Sequence, residues 1–402
     1  MNTEEILRLH GQEHILATLK RLHGERRAAL EREIAAVDWG MLSLRERVRP
    51  SGNISPIEGL SVEELQKRAP EFAAIGKEAI KAGKLAAVLL AGGQGTRLGS
   101  DAPKGTFNMG IKRNLPIFGL LMERLKSVSS ACGAYIPLAV MTSEKNDLET
   151  RAFFRERSFF GYPENYVDFF VQDTAPSVDF NGKLLLENEG ALVRSPNGNG
   201  GWYSSLVRSG LLSKAEYRAV AWFNAFAVDN VLQHIADPVF LGATIKSGCK
   251  TGAKVVKKAR PEERVGVLCL EDGRPRVVEY YELPPEMAHE RDENGELAYR
   301  YGVILNYLFE RAALESIAHL GIPVHVVAKK IPYWSEERGT VEPEEPNGYK
   351  FETLILDLVE RMGSCLPCEV VREREFAPVK NREGVDSVDT ARELLRKNGV
   401  EL

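Results

Sequence analysis

The stretch LAAVLLAGGQGTRLG, from Leu85 to Gly99, constrains the fold of this chain more than any other. Six apolar residues in a row are typical of a strand that is buried on both faces of a parallel sheet. The run leads into Gly92, Gly93 and Gly95, which let the backbone turn sharply and approach another group closely. In sheets of this kind, ligands bind at the carboxyl ends of the strands. The stretch therefore predicts a parallel α/β sheet with a ligand-binding loop.

Two further apolar runs, residues 136–143 and 219–230, repeat the strand pattern, and segments with helical periodicity lie between them at 117–127 and 148–156. Strands that alternate with helices predict an α/β fold with a Rossmann-like, doubly wound sheet. Short β-like runs around the Asp-Gly turn at 272–273 predict a mixed extension of that sheet.

The two ends of the chain have other patterns. Apolar residues at three- and four-residue steps predict one helix over 3–36, and Ser61 is a candidate N-cap for a helix that runs to about residue 82. Near the C-terminus, CEVVRE predicts a strand and residues 387–397 a polar helix. We therefore predict three consecutive parts: an N-terminal helical segment (1–84), a sheet domain (85–328) and a small C-terminal α+β region (329–402).

Composition and charge exclude several classes of protein. The 402 residues include 53 basic and 57 acidic side chains, a net charge of −4, which gives no basicity to indicate nucleic acid. Five cysteines make no disulfide framework, and the single Cys-x-x-Cys at Cys365 is a weak zinc signal, so reduced thiols are expected. The N-terminus is acidic where a signal peptide is basic, and no run reaches the roughly 20 apolar residues of a spanning helix. We expect a cytoplasmic protein that binds neither membrane nor nucleic acid; no pattern predicts its oligomeric state.

The glycine loop matches neither of two common phosphate-binding motifs. The P-loop requires Gly-Lys-Ser/Thr at its end, and the dinucleotide fingerprint requires a third glycine where Leu98 stands. Backbone N–H groups of a glycine-rich loop can still bind phosphate oxygens, and Arg97 and Lys104 add two cations. The alternative is a glycine-rich turn with solvated cations, and the two cations so close to the glycines favour a phosphate site.

Beyond the loop, a series of motifs resembles the sugar-nucleotide pyrophosphorylases, specifically the UDP-N-acetylglucosamine pyrophosphorylase branch of the UDP-glucose pyrophosphorylase family. The resemblance includes LLAGGQGTRLGSDAPKG and follows the family's order over about residues 8–395. The other motifs are FFVQD, SPNGNGGWY, AVDNVL, DPVFLG, GAKVVKK, VVEYYE, KKIPYW, PNGYKFE and FAPVKN. The resemblance implies a fold of the nucleotide-diphospho-sugar transferase type, with 85–328 as the catalytic domain and 329–402 contributing lysines to the site.

The resemblance also implies a reaction, in which an oxygen of a sugar-1-phosphate attacks the α-phosphorus of UTP and pyrophosphate leaves. Arg97, in the leading role, and Lys104 and Lys380 would neutralise the charge on the departing pyrophosphate. Asp229 would hold Mg²⁺, with Asn230 in the same turn; the alternative is that Asp229 caps a following helix. The implied nucleotide-binding residues are Leu90, Ala91, Gly92, Gly93, Gln94, Gly95, Thr96, Gln172, Gly198 and Asn199.

For the other substrate, the resemblance implies that Asn199 and Glu279 contact the sugar, with Glu279 accepting hydrogen bonds from its hydroxyls. Lysines from the later part of the chain would reach the phosphates: Lys329, Lys330 and Lys380.

The sequence departs from the family pattern in the sugar half of the site. Val303 stands where the family has an asparagine that contacts the sugar, and Asn306 lies three residues further on. Asp173 replaces the usual glycine after Gln172. We therefore expect an intact UTP site and an altered sugar site. The expected product is a UDP-sugar like UDP-N-acetylglucosamine, with glucose-1-phosphate or galactose-1-phosphate as alternative substrates.

Three other interpretations agree less well with the sequence. HGQEH, from His10 to His14, fits the zinc-peptidase motif but has no third ligand nearby. An inactive nucleotide-sugar-binding module would be expected to have lost a cation or Asp229, and none is missing. A nicotinamide-dependent oxidoreductase lacks both the third glycine and a clear acidic residue at the end of a second strand.

Overall fold

The apolar runs form the central strands of a mixed sheet in the computed structural model, which describes residues 2–42 and 52–402. The predicted run at 85–90 is a strand with every residue buried, as a parallel strand covered on both faces requires. The strands are β1 (Ile54–Ser55), β2 (Leu85–Leu90), β3 (Leu138–Thr142), β4 (Val167–Val171), β5 (Thr174–Pro176), β6 (Val178–Asp179), β7 (Leu186–Asn188), β8 (Ala191–Leu192), β9 (Arg194–Pro196), β10 (Trp222–Ala227), β11 (Thr251–Lys257), β12 (Val267–Glu271), β13 (Arg274–Val278), β14 (Tyr301–Glu310), β15 (His325–Lys329), β16 (Tyr333–Ser335), β17 (Gly339–Val341), β18 (Gly348–Glu352) and β19 (Cys365–Glu369).

The helices lie mainly between these strands and at the two ends of the chain. They are α1 (Thr3–Leu9), α2 (Glu13–Arg21), α3 (Gly24–Ala35), α4 (Trp39–Leu42), α5 (Val62–Lys81), α6 (Ile117–Cys132), α7 (Asp147–Glu156), α8 (Trp202–Arg208), α9 (Pro238–Ser247), α10 (Pro285–His289), α11 (Arg311–Ile317), α12 (Ile355–Met362), α13 (Arg372–Glu375) and α14 (Val388–Lys397). No helix in the described residues combines the length and the apolar character that a bilayer crossing requires.

The main sheet has the strand order β1-β12-β14-β10-β2-β3-β4, with β11, β13 and β19 pairing off this path. The strands β10, β2, β3 and β4 run parallel to one another. The helices α6 and α7 lie in the connections from β2 to β3 and from β3 to β4. On the other side of β10 the pairing turns antiparallel, through β14. The predicted α/β fold with a Rossmann-like mixed sheet is confirmed.

The chain divides into two units, each built from separated stretches. One unit contains residues 1–50, 172–201 and 322–355, and the other contains 51–171, 202–321 and 356–402. The sequence instead predicted three consecutive parts, 1–84, 85–328 and 329–402.

The first unit has its own apolar core. Residues 3–36 form three helices, α1 to α3, so the expectation of one helix over this range was wrong. Gly11 (φ 66°), between α1 and α2, and Gly24 (φ 58°), the first residue of α3, both adopt the left-handed conformation. A left-handed glycine ends an α-helix, which the apolar periodicity alone could not reveal. The core contains these side chains: Leu7, Ile15, Leu16, Leu19, Leu22, Leu30, Ile34, Val37, Ala175, Val178, Leu184, Leu186, Leu192 and Phe351.

The second unit contains the main sheet and its covering helices. The predicted helix from Ser61 is α5, and Ser61 accepts a hydrogen bond from Glu64 N while the Glu64 side chain accepts one from Ser61 N. The predicted Asp-Gly turn joins β12 to β13, with Asp272 at φ 50° and Gly273 at φ 78°, the geometry of a tight hairpin. Near the C-terminus, the helix predicted at 387–397 is α14, which Ser387 caps.

Candidate active site

The glycine loop follows β2 and folds back on the residues after it. Gly95 N donates to Ala102 O at 2.9 Å and Lys104 N donates to Gly93 O at 3.2 Å. A Cβ on Gly95 would lie 3.2 Å from Ser100 O, so a larger residue would crowd the turn there. These contacts bring Lys104, nine residues after Gly95, beside the beginning of the loop.

Asn146 holds the loop from the neighbouring strand connection, and the sequence did not point to it. The side chain is fully buried; its Nδ2 donates to Ala91 O at 3.0 Å and to Gly93 O at 3.3 Å, and its Oδ1 accepts from Ser143 N at 2.8 Å. A buried amide with all these bonds fixes the backbone of the loop. The only signal in the sequence is a polar residue just after a predicted strand, which does not reveal partners more than fifty residues away.

Asp229 lies at the carboxyl end of β10, the parallel neighbour of β2. Val228 N donates to Leu90 O at 3.2 Å, so the turn with Asp229 adjoins the start of the glycine loop. No helix follows Asp229 directly: the next helix is α9, and its N-cap is Asp237, which accepts from Val239 N. The alternative role of Asp229 as a helix cap is therefore wrong. The glycine loop and the Asp229 turn both follow the carboxyl ends of parallel strands, which is where α/β sheets bind ligands.

One cation, Lys104, lies beside this carboxylate, and two more lie near that lysine. Lys104 Nζ lies 4.0 Å from Asp229 Oδ2, and the Lys104 side chain is only 16% exposed. Burial lowers the pKa of Lys104; the charge of Asp229 raises it, and the nearby charges of Arg97 and Lys380 lower it further. The structure therefore brings Lys104 close to Asp229 and within electrostatic range of the other two predicted catalytic cations, Arg97 and Lys380. Such cations can bind and neutralise several phosphate oxygens.

Lys380 comes from the C-terminal part of the chain. Its Nζ forms an ion pair with Asp386 Oδ2 at 3.2 Å, and its backbone N donates to Asp386 O at 2.7 Å. Asp386 has a φ of 53°, so the loop between them bends back on itself. Asp386 and a bound phosphate would therefore compete for the same ammonium group.

Asp229 is also the residue that the sequence predicts to hold Mg²⁺. In residues 2–42 and 52–402, no group of three or more His, Cys, Asp or Glu could hold a metal by itself. Mg²⁺ is commonly bound by one or two carboxylates, with substrate phosphates and water as the remaining ligands. A quarter-exposed carboxylate with Lys104 beside it fits a magnesium ion of this kind.

The predicted nucleotide loop NGNGG belongs to the other unit, where it packs against residues 353–355. Gly198 (φ 83°) lies so close to this segment that a Cβ would be 2.1 Å from Thr353 O. Thr353 N donates to Asn197 O at 2.6 Å, Gly200 N donates to Thr353 O at 2.9 Å, and Asn199 Oδ1 accepts from Ile355 N at 2.9 Å. The glycines are therefore required for close packing between two distant segments. The contact of Gly198 and Asn199 with a nucleotide stays a prediction.

The same unit contains Gln172, which is 8% exposed, and Lys329 and Lys330, which are both exposed. Lys329 ends β15 and pairs with Gly348 of β18. Oδ1 of Asn197 is buried and has no hydrogen-bond partner within the described part of the chain, so a ligand donor would satisfy it.

Two of the predicted sugar-binding residues lie together, and a third lies apart. A Cβ on Gly266 would be 3.4 Å from Val303 Cγ2 and 3.9 Å from Glu279 Cδ, so Val303 and Glu279 flank the same glycine. Asn306 is fully buried; its Oδ1 accepts from Asn224 Nδ2 at 2.8 Å and its Nδ2 donates to His234 O at 3.2 Å. The amide of Asn306 thus supports the fold, and its predicted sugar contact would require these bonds to break.

The zinc-peptidase motif is not assembled. Gly11 separates α1 from α2, so His10 and His14 do not lie on one helix as the motif requires. His10 stacks on Trp39 with ring centroids 4.3 Å apart, and His14 Nε2 lies 2.8 Å from Leu184 O. Both imidazoles therefore have structural contacts within the first unit.

Comparison with known proteins agrees with these features. Residues 49–391 match the model of the family described as UTP–glucose-1-phosphate uridylyltransferase. The chain is 38% identical over 413 residues to the UDP-N-acetylhexosamine pyrophosphorylase-like protein 1 of Homo sapiens, covering 96% of this chain and 82% of the human protein. It is 35% identical over 416 residues to the UDP-N-acetylglucosamine pyrophosphorylase of Saccharomyces cerevisiae, covering 98% of this chain and 86% of the yeast protein.

A solved structure is similar over nearly the whole chain. The uridine diphosphate N-acetylglucosamine pyrophosphorylase of Trypanosoma brucei superposes with a TM-score of 0.79 at 30% identity, over 97% of this chain and 83% of that chain. The chain therefore belongs to the UTP–glucose-1-phosphate uridylyltransferase family, within its branch of UDP-N-acetylglucosamine pyrophosphorylases.

Proposed function

We propose that the chain is a UTP:sugar-1-phosphate uridylyltransferase, which makes a UDP-sugar and pyrophosphate from UTP and a sugar-1-phosphate. The observation that carries the proposal is the pair of Lys104 and Asp229, with Arg97 and Lys380 within electrostatic range of Lys104, beside the carboxyl ends of β2 and β10. Membership of the family gives the class of reaction, and these residues supply groups that such a reaction needs.

In the reaction, an oxygen of the sugar-1-phosphate forms a bond to the α-phosphorus of UTP. The bond from that phosphorus to the oxygen that bridges it to the β-phosphate breaks, and the bonding electrons leave with pyrophosphate. Catalysis of this type depends on positioning and on neutralising negative charge. Lys104, already partly dehydrated, would bind a phosphate oxygen at short range, while Arg97 offers two N–H groups to the leaving pyrophosphate.

Magnesium is proposed as the cofactor. Asp229 is the residue that would hold it, and the bound ion would neutralise charge on the phosphates as a Lewis acid. Lys104 lies 4.0 Å from the Asp229 carboxylate, so its charge favours the ionised form that a metal ion requires.

The nucleotide would be bound by the glycine loop and by the NGNGG loop. Backbone N–H groups around Gly93 suit triphosphate oxygens, since a Cβ at Gly93 would meet no described atom within 4 Å. The buried acceptor Oδ1 of Asn197 suits an N–H donor of the kind that the uracil ring carries. Gln172 and Asn199 are the other proposed nucleotide contacts.

For the sugar, the names of the relatives favour N-acetylglucosamine-1-phosphate. Val303 nevertheless places a methyl group beside Gly266, which Glu279 also flanks, where a hydrogen-bonding side chain would discriminate between sugars more strongly. Glucose-1-phosphate and galactose-1-phosphate therefore stay alternative substrates. A cytoplasmic location is also proposed, since all five cysteines are free thiols.

Pyrophosphate release with UTP, Mg²⁺ and a panel of sugar-1-phosphates tests the proposal. Release with at least one sugar supports it, and the ratio of kcat/KM values ranks the sugars. No release with any sugar, while UTP still binds, would favour an inactive binding module. If Val303 sets the choice, Val303→Asn should raise kcat/KM for the N-acetylated sugar relative to the plain sugars; an unchanged ratio would exclude that role.

A further inference from the structure

A fully buried lysine lies at the junction of three segments of the second unit. Lys254 of β11 is 1% exposed, and its ammonium group donates to three acceptors: Asp237 Oδ2 at 2.9 Å, Glu375 Oε2 at 2.6 Å and His234 O at 3.2 Å. Three donors and three acceptors satisfy the lysine completely. The proposed reaction does not use this group, and a buried charge that only filled space would be costly.

Glu375 connects this lysine to both sides of the turn that carries Asp229. Its side chain, 10% exposed, accepts from Lys254 and from His234 N at 3.4 Å. Its backbone oxygen accepts from Asn230 Nδ2 at 2.8 Å. Glu375 therefore binds both Asn230, the residue after Asp229, and His234, five residues after Asp229.

The residues that follow Glu375 pack along the same turn. Ala377 N donates to Asn230 Oδ1 at 2.9 Å, Val231 N donates to Ala377 O at 3.2 Å, and Val379 N donates to Asp229 O at 2.9 Å. Lys380 is the next residue. The backbone that carries the proposed metal-binding carboxylate is thus bonded to the backbone that carries a proposed phosphate-binding lysine.

We propose that the Lys254–Glu375 ion pair is a positioning element of the active site, which fixes the Asp229 turn and the Lys380 segment relative to each other. This inference rests on the proposed function and extends it to residues that touch neither substrate nor metal. The ion pair restrains the Lys380 segment through Glu375. Asp237, the other carboxylate bound to Lys254, is the N-cap of α9. Burial of both charges keeps the pair insensitive to salt, unlike an ion pair on the surface.

The test is Glu375→Gln, with Lys254→Met as a second variant, in the pyrophosphate-release assay over a series of Mg²⁺ concentrations. Glutamine keeps the shape of the side chain, and Lys254 keeps Asp237 as a counter-ion, so the fold should survive. We expect kcat to fall at least tenfold and the half-saturating Mg²⁺ concentration to rise several-fold. The KM for the sugar-1-phosphate should stay within twofold of the wild-type value, because the restrained segments carry the proposed metal-binding and phosphate-binding groups.

Asp168→Asn is the matched control. Asp168 lies on β4, away from the Asp229 turn. Its carboxylate is 11% exposed and forms an ion pair with Lys214 at 2.5 Å. The substitution should lower the melting temperature by a similar amount and leave kcat and the Mg²⁺ dependence unchanged. Equal losses of kcat in Glu375→Gln and Asp168→Asn at equal melting temperature, or a kcat within twofold of wild type in Glu375→Gln, would overturn the inference. A wild-type protein that makes no UDP-sugar would instead overturn the proposed function itself.

Discussion

Among single residues, Arg97 offers the sharpest separation between activity and stability. Its side chain is exposed and contributes nothing to the apolar core, so Arg97→Ala should leave the melting temperature unchanged. Loss of a group that stabilises charge in the transition state typically costs on the order of 10²–10³ in kcat. Steady-state pyrophosphate release checks this, with the exposed Arg155→Ala on α7 as the control that should retain full activity. A wild-type kcat in Arg97→Ala would remove Arg97 from catalysis.

Lys104 predicts a pH dependence. Burial and the neighbouring cations lower its pKa, so in the free enzyme it loses its proton at a lower pH than an ordinary lysine. Since the charged form is the one that binds phosphate, kcat/KM for UTP should fall as the pH rises through this lowered pKa. Lys104→Arg keeps the charge over the whole range and should move the alkaline limb of the profile to higher pH. Identical alkaline limbs in the two proteins would show that another group sets it.

The sequence indicates the role of a single residue only when the groups that this residue contacts lie near it in the chain. Arg97 and Lys104 lie within about ten residues of the glycines in the chain, so the sequence alone places them near the loop, and their role as phosphate ligands stays a prediction. Asn146 is invisible to the same reasoning, because its importance lies in two carbonyl groups of the glycine loop. Asn306 shows the converse: a polar residue near a motif is buried by strand pairing, and its amide bonds Asn224.

Among the elements, the NGNGG loop yields a prediction about close packing. Gly198→Ala combines a left-handed backbone with a Cβ only 2.1 Å from Thr353 O, so the loop must move. Gly182 has nearly the same φ, 81° against 83°, but a Cβ there meets nothing within 4 Å. Gly182→Ala should therefore cost only the conformational strain, about 1–2 kcal/mol. Gly198→Ala should cost more and should also raise the KM for UTP.

Melting temperatures and UTP titrations of the two variants distinguish the causes. A larger loss of stability and a raised KM in Gly198→Ala alone would support both the packing and the nucleotide role of the loop. If the KM for UTP is the same in both variants, Gly198 serves packing only, and the predicted nucleotide contact fails.

Elements whose boundaries depend on local chemistry were predicted well. The strand at 85–90 and the helix capped at Ser61 follow from an apolar run and a capping box, and both are confirmed. The long helix over 3–36 failed because its apolar periodicity persists through Gly11, where the backbone turns left-handed. Periodicity shows which side chains face a core, whereas a helix end requires information on the backbone conformation.

For the whole molecule, the division into two units lay beyond a single sequence. Residues 172–201 and 322–355 leave the sheet-containing unit and join the N-terminal helices, where Val178, Leu184 and Phe351 complete the apolar core around Leu16. The strands in these excursions are short, three to five residues in most cases, and some have partners far away in the chain, as β18 has in β6. The resemblance to the family predicted the class of fold correctly. The division into two units depends on contacts between segments that are distant in the chain, which a single sequence does not reveal.

A ligand that binds only the folded chain stabilises the whole molecule, which gives a test of the functional class that needs no catalysis. At a UTP concentration of 100 times Kd, with Mg²⁺ present, the free energy of unfolding should rise by about 2.7 kcal/mol. Thermal unfolding should therefore shift upward with UTP, and less so in Arg97→Ala at the same concentration, because the lost cation weakens phosphate binding. A nicotinamide dinucleotide should give no shift, since Leu98 occupies the position of the third glycine and is itself buried. A shift with the dinucleotide and none with UTP would instead favour the oxidoreductase, and Lys104 beside Asp229 would then need another ligand.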